Sequence, residues 1–131
     1  MERNVVVTEK VHSWDLPYSQ AISFGQFVFL AGQLADDPVT HELVEGGIKP
    51  QTRQVLENVK AILEAAGSSI DMVLKTTCFL MDRDDFDQFN EVYREYFPKD
   101  PPARSTFQVS RLAPGYIVEI EAIAGVNTPG T

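Results

Sequence analysis

Residues 53–67, Arg-Gln-Val-Leu-Glu-Asn-Val-Lys-Ala-Ile-Leu-Glu-Ala-Ala-Gly, decide the fold class because they carry the clearest periodic pattern in the chain. Apolar side chains recur there at steps of three and four residues, which places them on one face of an α-helix. This stripe consists of Leu56, Val59, Ile62, Leu63 and Ala66. Pro50 suits the first turn of such a helix, and Gly67 suits the position just past its end. The sequence therefore predicts an amphipathic helix whose apolar face packs against another element.

Runs of β-branched and aromatic residues on both sides of this helix predict strands. A second helix is predicted after Asp82, which can cap it, and before Pro98, which stops it. The predicted strands cover residues 5–8, 21–24, 27–31, 72–80, 103–109 and 117–124. The order β-β-β-α-β-α-β-β is an α+β pattern, in which both helices cover one face of a mixed six-stranded sheet.

The composition indicates one acidic globular domain, residues 1–131, with 44% hydrophobic and 23% charged residues. Its formal net charge of −8 opposes contact with a phosphate backbone, so we expect no nucleic-acid partner. The single cysteine, Cys78, cannot form an internal disulfide and suits a reducing compartment. Neither a membrane-length apolar run nor a signal peptide is visible, so we expect a cytoplasmic protein without membrane contact.

The final predicted strand alternates between two unlike faces. One face is small and apolar, as suits packing under helices, and it carries Val118, Ile120, Ala122 and Ala124. The other face mixes carboxylates and isoleucines, as it carries Ile117, Glu119, Glu121 and Ile123. Two helices cannot cover both faces of the sheet. We therefore expect the half-polar face to be covered by association with another copy of the chain.

Most familiar catalytic sets are absent from the sequence. No glycine-rich phosphate loop is present, and His12 and His41 are isolated, which favours a solvated surface role over a zinc pair. The acidic cluster around Asp82 lacks the pattern of a calcium loop and is explained by helix capping. Cys78 is expected to be a small buried hydrophobe rather than a nucleophile. Trp14 and Tyr18 are more often packing residues than ligand contacts.

Arg104 follows Pro101-Pro102-Ala103 at the start of a predicted strand, where its guanidinium can be held rigidly. Such a group binds a carboxylate through two parallel hydrogen bonds, although an ion pair with one of the 19 acidic residues is the commoner role. In a tight hairpin about Pro114, Arg104 and Glu119 would lie about 15 Å apart by strand rise. A site that shares them needs another connection or a neighbouring subunit.

Five ordered motifs carry a resemblance that spans the chain from Thr8 to about Ala124. The motifs are Leu16-Pro17-Tyr18-Ser19-Gln20, Ala31-Gly32-Gln33, residues 57–67, Pro102-Ala103-Arg104-Ser105 and Glu119-Ile120-Glu121-Ala122-Ile123-Ala124. Together they resemble the RidA/YjgF family of reactive-intermediate (enamine/imine) deaminases, also known by the name L-PSP endoribonuclease.

The resemblance implies a chorismate-mutase-like protomer that forms a homotrimer, with ligand clefts between subunits. It also implies hydrolysis of 2-imino acids, which arise from enamines, to 2-keto acids and ammonia, as in 2-iminobutanoate/2-iminopropanoate deaminases. No metal or organic cofactor is implied. The implied partner is a small 2-imino or 2-keto acid.

The resemblance also implies roles for individual residues. The catalytic set is Arg104, which binds the substrate carboxylate, Glu119, which handles the water, and Tyr18, which lines the cleft. Further substrate-binding positions are Gly32, Ala31, Asn90 and Thr106. Ala31 stands where the family often has serine, and Thr106 stands where the best-known branch has cysteine. Both departures leave the substrate range and the branch open.

Two other functions compete with deamination. A non-catalytic trimer that binds small carboxylates, as a metabolite sensor or chaperone-like factor, is favoured by Ala31 and Thr106. Endoribonuclease activity is a weaker alternative, because the chain is acidic and lacks a basic stripe or a His/Lys catalytic pair.

Overall fold

The computed structural model describes residues 1–126, which contain six strands and two α-helices in the predicted order. Short 3₁₀ turns, Ile70–Met72 and Arg83–Asp85, precede β4 and α2. The elements are β1 (Arg3–Val6), β2 (Ala21–Phe24), β3 (Phe27–Gln33), α1 (Ile48–Ala65), β4 (Val73–Leu80), α2 (Phe86–Tyr96), β5 (Ala103–Gln108) and β6 (Val118–Gly125). The α+β class and the mixed six-stranded sheet are confirmed, while several element ends differ from the prediction by a few residues.

The strand order in the sheet is β1-β2-β3-β6-β4-β5. All neighbouring strands are antiparallel except β4 and β5, which run parallel. Because β4 lies between β5 and β6, the last two strands do not form a hairpin about Pro114. The tight hairpin considered for Arg104 and Glu119 is therefore absent, and β4 separates the two strands that carry them.

Both helices pack on one face of the sheet, as predicted. Helix α1 contacts β3, β6 and α2, and its stripe from Leu56 to Leu63 is buried. It begins at Ile48, so Pro50 lies in its first turn, and Gly67 follows its end at a φ of +79°. The alternation of β6 is also confirmed, since Val118, Ile120, Ala122 and Ala124 are all buried. No helix within residues 1–126 is long and apolar enough to cross a bilayer.

The cap of the second helix differs from the prediction. The Asp82 carboxylate accepts the Asp84 N–H at 2.8 Å and so caps the 3₁₀ turn that precedes α2. The first α-helical residue is Phe86, and the residue before it makes no side-chain cap. The capping chemistry was therefore predicted correctly and its position was not, because the 3₁₀ turn intervenes.

The face of the sheet opposite the helices is uncovered in the single chain. Its exposed apolar side chains, each between 44% and 55% exposed, are Val5, Phe24, Phe27, Phe29 and Phe107. Glu119, Glu121 and Lys75 lie on the same face, since Lys75 pairs with Ile123 and Glu121 pairs with Thr77. The predicted half-polar open face is therefore present in the structure.

Gln51 holds the connection between β5 and β6 in place. Its side chain is buried on α1, where its Nε2 donates to the Gly115 carbonyl at 3.0 Å and its Oε1 accepts the Ile117 N–H at 2.9 Å. One amide thus satisfies two backbone groups at the start of β6, the strand that carries Glu119.

We expect Gln51→Ala to lower the free energy of unfolding by about 1–3 kcal/mol, because two backbone groups lose their partner. Urea denaturation followed by circular dichroism measures this change. The matched control is Gln88→Ala, which removes an exposed glutamine from α2 and should change stability by less than about 0.5 kcal/mol. Equal effects of the two substitutions would contradict the role given to Gln51.

Candidate active site

A β-bulge in β3 forms the floor of the site. Leu30 pairs with Ala122 and Gln33 pairs with Ile120, so the two residues between them, Ala31 and Gly32, face a single position on β6. Bulges of this kind redirect side chains and recur beside active sites. Here the bulge brings the backbone of Gly32 under the side chain of Glu119.

Glu119 lies directly against Gly32. A Cβ at residue 32 would be 2.1 Å from Glu119 Oε2 and 2.9 Å from its Cδ, so only glycine leaves room for the carboxylate in this position. Burial raises the pKa of Glu119, and the negative charge of Glu121 on the same face raises it further. The Glu119 carboxylate therefore lies against the backbone of Gly32, and it is more basic than that of an ordinary glutamate.

Glu119 lines a cleft with a volume of about 340 Å³. The loop before β2 forms one wall, and in it the Trp14 N–H donates to the Tyr18 hydroxyl at 2.8 Å. The cleft is lined by His12, Trp14, Leu16, Tyr18, Ala31, Gly32, Gln33, Leu34, Asp36, Asn58 and Glu119. Four of the predicted site residues, Tyr18, Ala31, Gly32 and Glu119, thus share one cleft.

Asp36 organises the wall of this cleft, and the sequence did not reveal it. Its side chain is buried and accepts hydrogen bonds from Trp14 Nε1 at 2.7 Å, His12 Nδ1 at 2.9 Å and the Tyr116 hydroxyl. The Asn58 amide donates to the Asp36 carbonyl at 3.0 Å. The donors come from distant parts of the chain, so no local pattern could indicate the cluster.

Arg104 occupies a second cleft of about 290 Å³, which it shares with Asn90 and Tyr93. Its Nη1 donates to Asn90 Oδ1 at 2.8 Å, and its guanidinium carbon lies 4.7 Å from the centre of the Tyr93 ring. The rings of Phe86 and Phe89 lie 5.6 and 5.7 Å away. Among the described residues Arg104 makes no ion pair. The commoner role considered for it, pairing with an internal acid, is therefore absent.

Arg104 and Glu119 of one chain lie on opposite faces of the sheet. Arg104 pairs with Thr76, whose hydroxyl hydrogen-bonds to Tyr93 of α2, so it lies on the helix face. Glu119 pairs with Phe79 on the open face. Residues paired across strands share a face, and β4 separates the two strands. A single chain does not bring these two groups to one ligand.

Thr106 and Cys78 lie away from both clefts. They are neighbours on β5 and β4, and the Thr106 hydroxyl is buried without a hydrogen bond of ordinary geometry. Cys78 is fully buried, as predicted, and burial raises the pKa of its thiol to about 11. The structure therefore shows no contact through which Thr106 reaches either cleft.

The two histidines are not isolated, contrary to the prediction. Their rings stack with centroids 4.3 Å apart, and His12 also bonds to Asp36. Within residues 1–126, no group of three or more His, Cys, Asp or Glu side chains is arranged to hold a metal ion. The stacked pair lies at the wall of the cleft, where His12 is bonded to Asp36.

Residues 12–126 match the Endoribonuclease L-PSP family. The chain belongs to this family. It is the RidA/YjgF family that the five sequence motifs resemble, and its solved structures share the fold described above. The expected family and protomer fold are thereby confirmed.

Similar members of the L-PSP family carry names of different kinds. A RutC family protein of Pyrococcus horikoshii is 55% identical over 93% of this chain and 97% of its own length. The human 2-iminobutanoate/2-iminopropanoate deaminase is 41% identical over 93% of this chain and 89% of its own. The crystal structure of Escherichia coli TdcF with bound serine has a TM-score of 0.89 at 38% identity, covering 95% of this chain and 99% of that one.

We expect the Cys78 thiol to be inert in the folded protein. At pH 8 a thiol with a pKa of about 11 is less ionised than an unfolded one by a factor on the order of 100, and burial slows its reaction further. The rate of reaction with 5,5′-dithiobis(2-nitrobenzoate), measured with and without guanidinium chloride, tests this. A native rate within tenfold of the unfolded rate would show an accessible thiolate.

Proposed function

We propose that this protein hydrolyses 2-imino acids to 2-keto acids and ammonia, in clefts formed where copies of the chain meet in a homotrimer. One observation carries the proposal: the Glu119 carboxylate, whose pKa is raised, and the Arg104 guanidinium, which makes no ion pair within residues 1–126, stand in two clefts on opposite faces of one sheet. Within the same residues, the cleft that contains Glu119 has no arginine in its lining, and the cleft that contains Arg104 has no carboxylate in its lining. The uncovered aromatic face supplies the surface through which a second copy brings them together.

Arg104 binds the substrate carboxylate in this proposal. Asn90 uses one guanidinium N–H and the aromatic rings use its flat face, so N–H groups remain for a bidentate bond. Since no acid within residues 1–126 neutralises it, the cation attracts small anions into the cleft. Fixing the carboxylate orients the adjacent C=N carbon and turns a chance encounter into a defined geometry.

Glu119 of the neighbouring copy acts as the general base. It takes a proton from a water molecule as the oxygen attacks the C=N carbon, and it returns that proton to the imine nitrogen to give an amino alcohol. The carboxylate then takes the hydroxyl proton of the amino alcohol and delivers it to the amino nitrogen as the C–N bond breaks, which releases ammonia and leaves the keto group. A raised pKa suits this role because it brings the carboxylate closer to the pH at which it both accepts and returns protons.

The chemistry requires little beyond these groups. An imine carbon is already electrophilic, so the protein needs only to place water, hold the carboxylate and move protons. Tyr18, 41% exposed at the rim of the Glu119 cleft, is positioned to cover a bound ligand and exclude bulk water. The deaminase name of the human relative and the serine bound to TdcF both fit a site for small amino-acid-like molecules.

A carboxylate-binding trimer without turnover is the second candidate. The observation in its favour is that Ala31 brings no hydroxyl to the cleft and Thr106 lies outside both clefts. Saturable binding of 2-ketobutanoate without acceleration of imine hydrolysis would select this function. The net charge of −8 gives no support to ribonuclease activity.

We expect Arg104→Ala to lower kcat/KM for 2-iminobutanoate by about 100-fold, which corresponds to roughly 3 kcal/mol for a lost charged hydrogen-bond pair. Threonine dehydratase supplies the imine, and trapping by semicarbazide measures what escapes hydrolysis. The control is Arg83→Ala, which removes an exposed arginine that also lies over Phe86, at 5.8 Å. Full activity in Arg104→Ala would remove the proposed carboxylate site.

We expect Glu119→Gln to lower kcat by a factor on the order of 100 or more, because the amide cannot take the proton from water. Binding of 2-ketobutanoate should persist in this variant, since Arg104 is unchanged. Single-turnover assays and calorimetric titration separate these two effects. Loss of ligand binding with an unchanged turnover number would contradict the role of a general base.

We expect Glu121→Gln, on the same strand and face, to move the acidic limb of the kcat/KM profile to lower pH. Removing the negative charge of Glu121 favours the ionised form of Glu119 and so lowers its pKa. A base that must be ionised then stays active at lower pH. A shift of the limb to higher pH, or no shift, would mean that Glu119 is not the titrating group.

A further inference from the structure

The Arg104 cleft carries a second cation, to which the proposed mechanism gives no role. Arg94 of α2 lines the same volume of about 290 Å³ as Arg104 and Asn90. Asn90 and Arg94 are four residues apart on one face of the helix, which places their Cβ atoms about 5–6 Å apart. Arg94 therefore stands one helical turn from the amide that holds the Arg104 guanidinium.

The acidic neighbours of Arg94 on α2 contact the other helix. Both carboxylate oxygens of Glu95 accept Arg53 Nη2 of α1, each at 3.0 Å, and Glu91 pairs with Lys49 of α1. Arg94 itself is exposed, and no acid within residues 1–126 forms an ion pair with it. Because cations of α1 neutralise the two glutamates nearest to it in sequence, the charge of Arg94 is available to a ligand.

The rest of the lining is rigid and mostly apolar. Pro101 and Pro102 have restricted φ angles, and the rings of Tyr93 and Phe97 lie against each other at 4.7 Å. Among the residues that the structure describes, no carboxylate lines this cleft. The cleft thus presents two positive charges on an apolar support, in a chain whose net charge is −8. This local charge favours a ligand with two negative groups over one with a single negative group.

We propose that this cleft binds dicarboxylic 2-imino and 2-keto acids of the size of glutamate, with the carboxylate beside C2 on Arg104 and the distal carboxylate on Arg94. The inference rests on the proposed deaminase function and names a substrate class for it. Four C–C bonds of about 1.5 Å join the two carboxyl carbons of such an acid, so its extended chain spans about 5 Å. That span matches the spacing of side chains one turn apart on a helix.

Binding of keto acids tests the inference without turnover. Isothermal titration calorimetry compares 2-ketoglutarate with 2-ketopentanoate, which has the same number of carbons and a single carboxylate. We expect the Kd of 2-ketoglutarate to be about fivefold lower at low salt, as suits a second ion pair at an exposed arginine. The ratio of the two Kd values should fall in about 1 M salt, because salt screens exposed charges.

Variants at Arg94 locate the preference. Arg94→Gln should bring the ratio of the two Kd values below about twofold, whereas Arg94→Lys, which keeps the charge, should retain part of it. The control is Lys99→Gln, which removes another exposed cation just after α2 and so changes the net charge equally, but lines a different cavity. A ratio that survives Arg94→Gln, or that falls equally in Lys99→Gln, would reject the role given to Arg94.

The outcomes separate this inference from the function on which it rests. L-Glutamate oxidase with catalase generates 2-iminoglutarate, and an L-amino-acid oxidase generates 2-iminopentanoate from norvaline, so semicarbazide competition measures hydrolysis of both. Hydrolysis of these imines without a lower Kd for 2-ketoglutarate would overturn the dicarboxylate site and leave the deaminase intact. Binding of 2-ketoglutarate that depends on Arg94, without hydrolysis of any imine, would remove the deaminase and keep the dicarboxylate site. Unchanged binding of 2-ketoglutarate in Arg104→Ala would place both carboxylates elsewhere and reject the inference.

Discussion

The constraint on which the structure depends is that two helices cover only one face of a six-stranded sheet. The apolar stripe of α1 packs against β3 and β6 and forms the core. The opposite face of the sheet is therefore exposed to solvent in the single chain. Four phenylalanines on that face are 44–52% exposed, and clustered exposed apolar side chains mark interaction surfaces. Because Glu119 stands on this face and Arg104 on the other, the shared site proposed above requires two copies of the chain.

Because Arg104 and Glu119 lie on opposite faces, each has its own electrostatic surroundings in the single chain. In a chain with 19 acidic and 11 basic residues, an arginine without an acidic partner is the less common outcome. Arg104 is held instead by an amide oxygen and by aromatic faces, which fix the guanidinium without neutralising it. Among residues 1–126 no cation forms an ion pair with Glu119, and Glu121 adds a like charge. In the proposed assembly the substrate carboxylate pairs with Arg104, so that Glu119 is not neutralised by it directly.

The sequence predicted those features that local patterns encode. The period of α1, the stop at Gly67 and the two faces of β6 each depend on neighbouring residues, and the structure confirms them. It did not predict that β4 enters between β5 and β6, because strand order depends on packing across the whole chain. It also missed Asp36, whose donors at positions 12, 14 and 116 have no spacing that marks them as partners. The roles carried over to Arg104, Glu119, Asn90 and Thr106 stay predictions.

The Glu119 cleft has two kinds of wall. One is fixed by strand pairing at the bulge in β3, and the other is formed by the loop before β2. Glu119 and Gly32 are positioned by paired strands, where a change in register would move the carboxylate to the other face. The opposite wall is made by a loop that is tied down at Asp36 and is otherwise free of strand pairing. Loops on a rigid scaffold tolerate substitution better than the strands they connect. Changes at positions such as 14 or 16 can therefore alter the loop wall of the cleft without moving the Glu119 carboxylate.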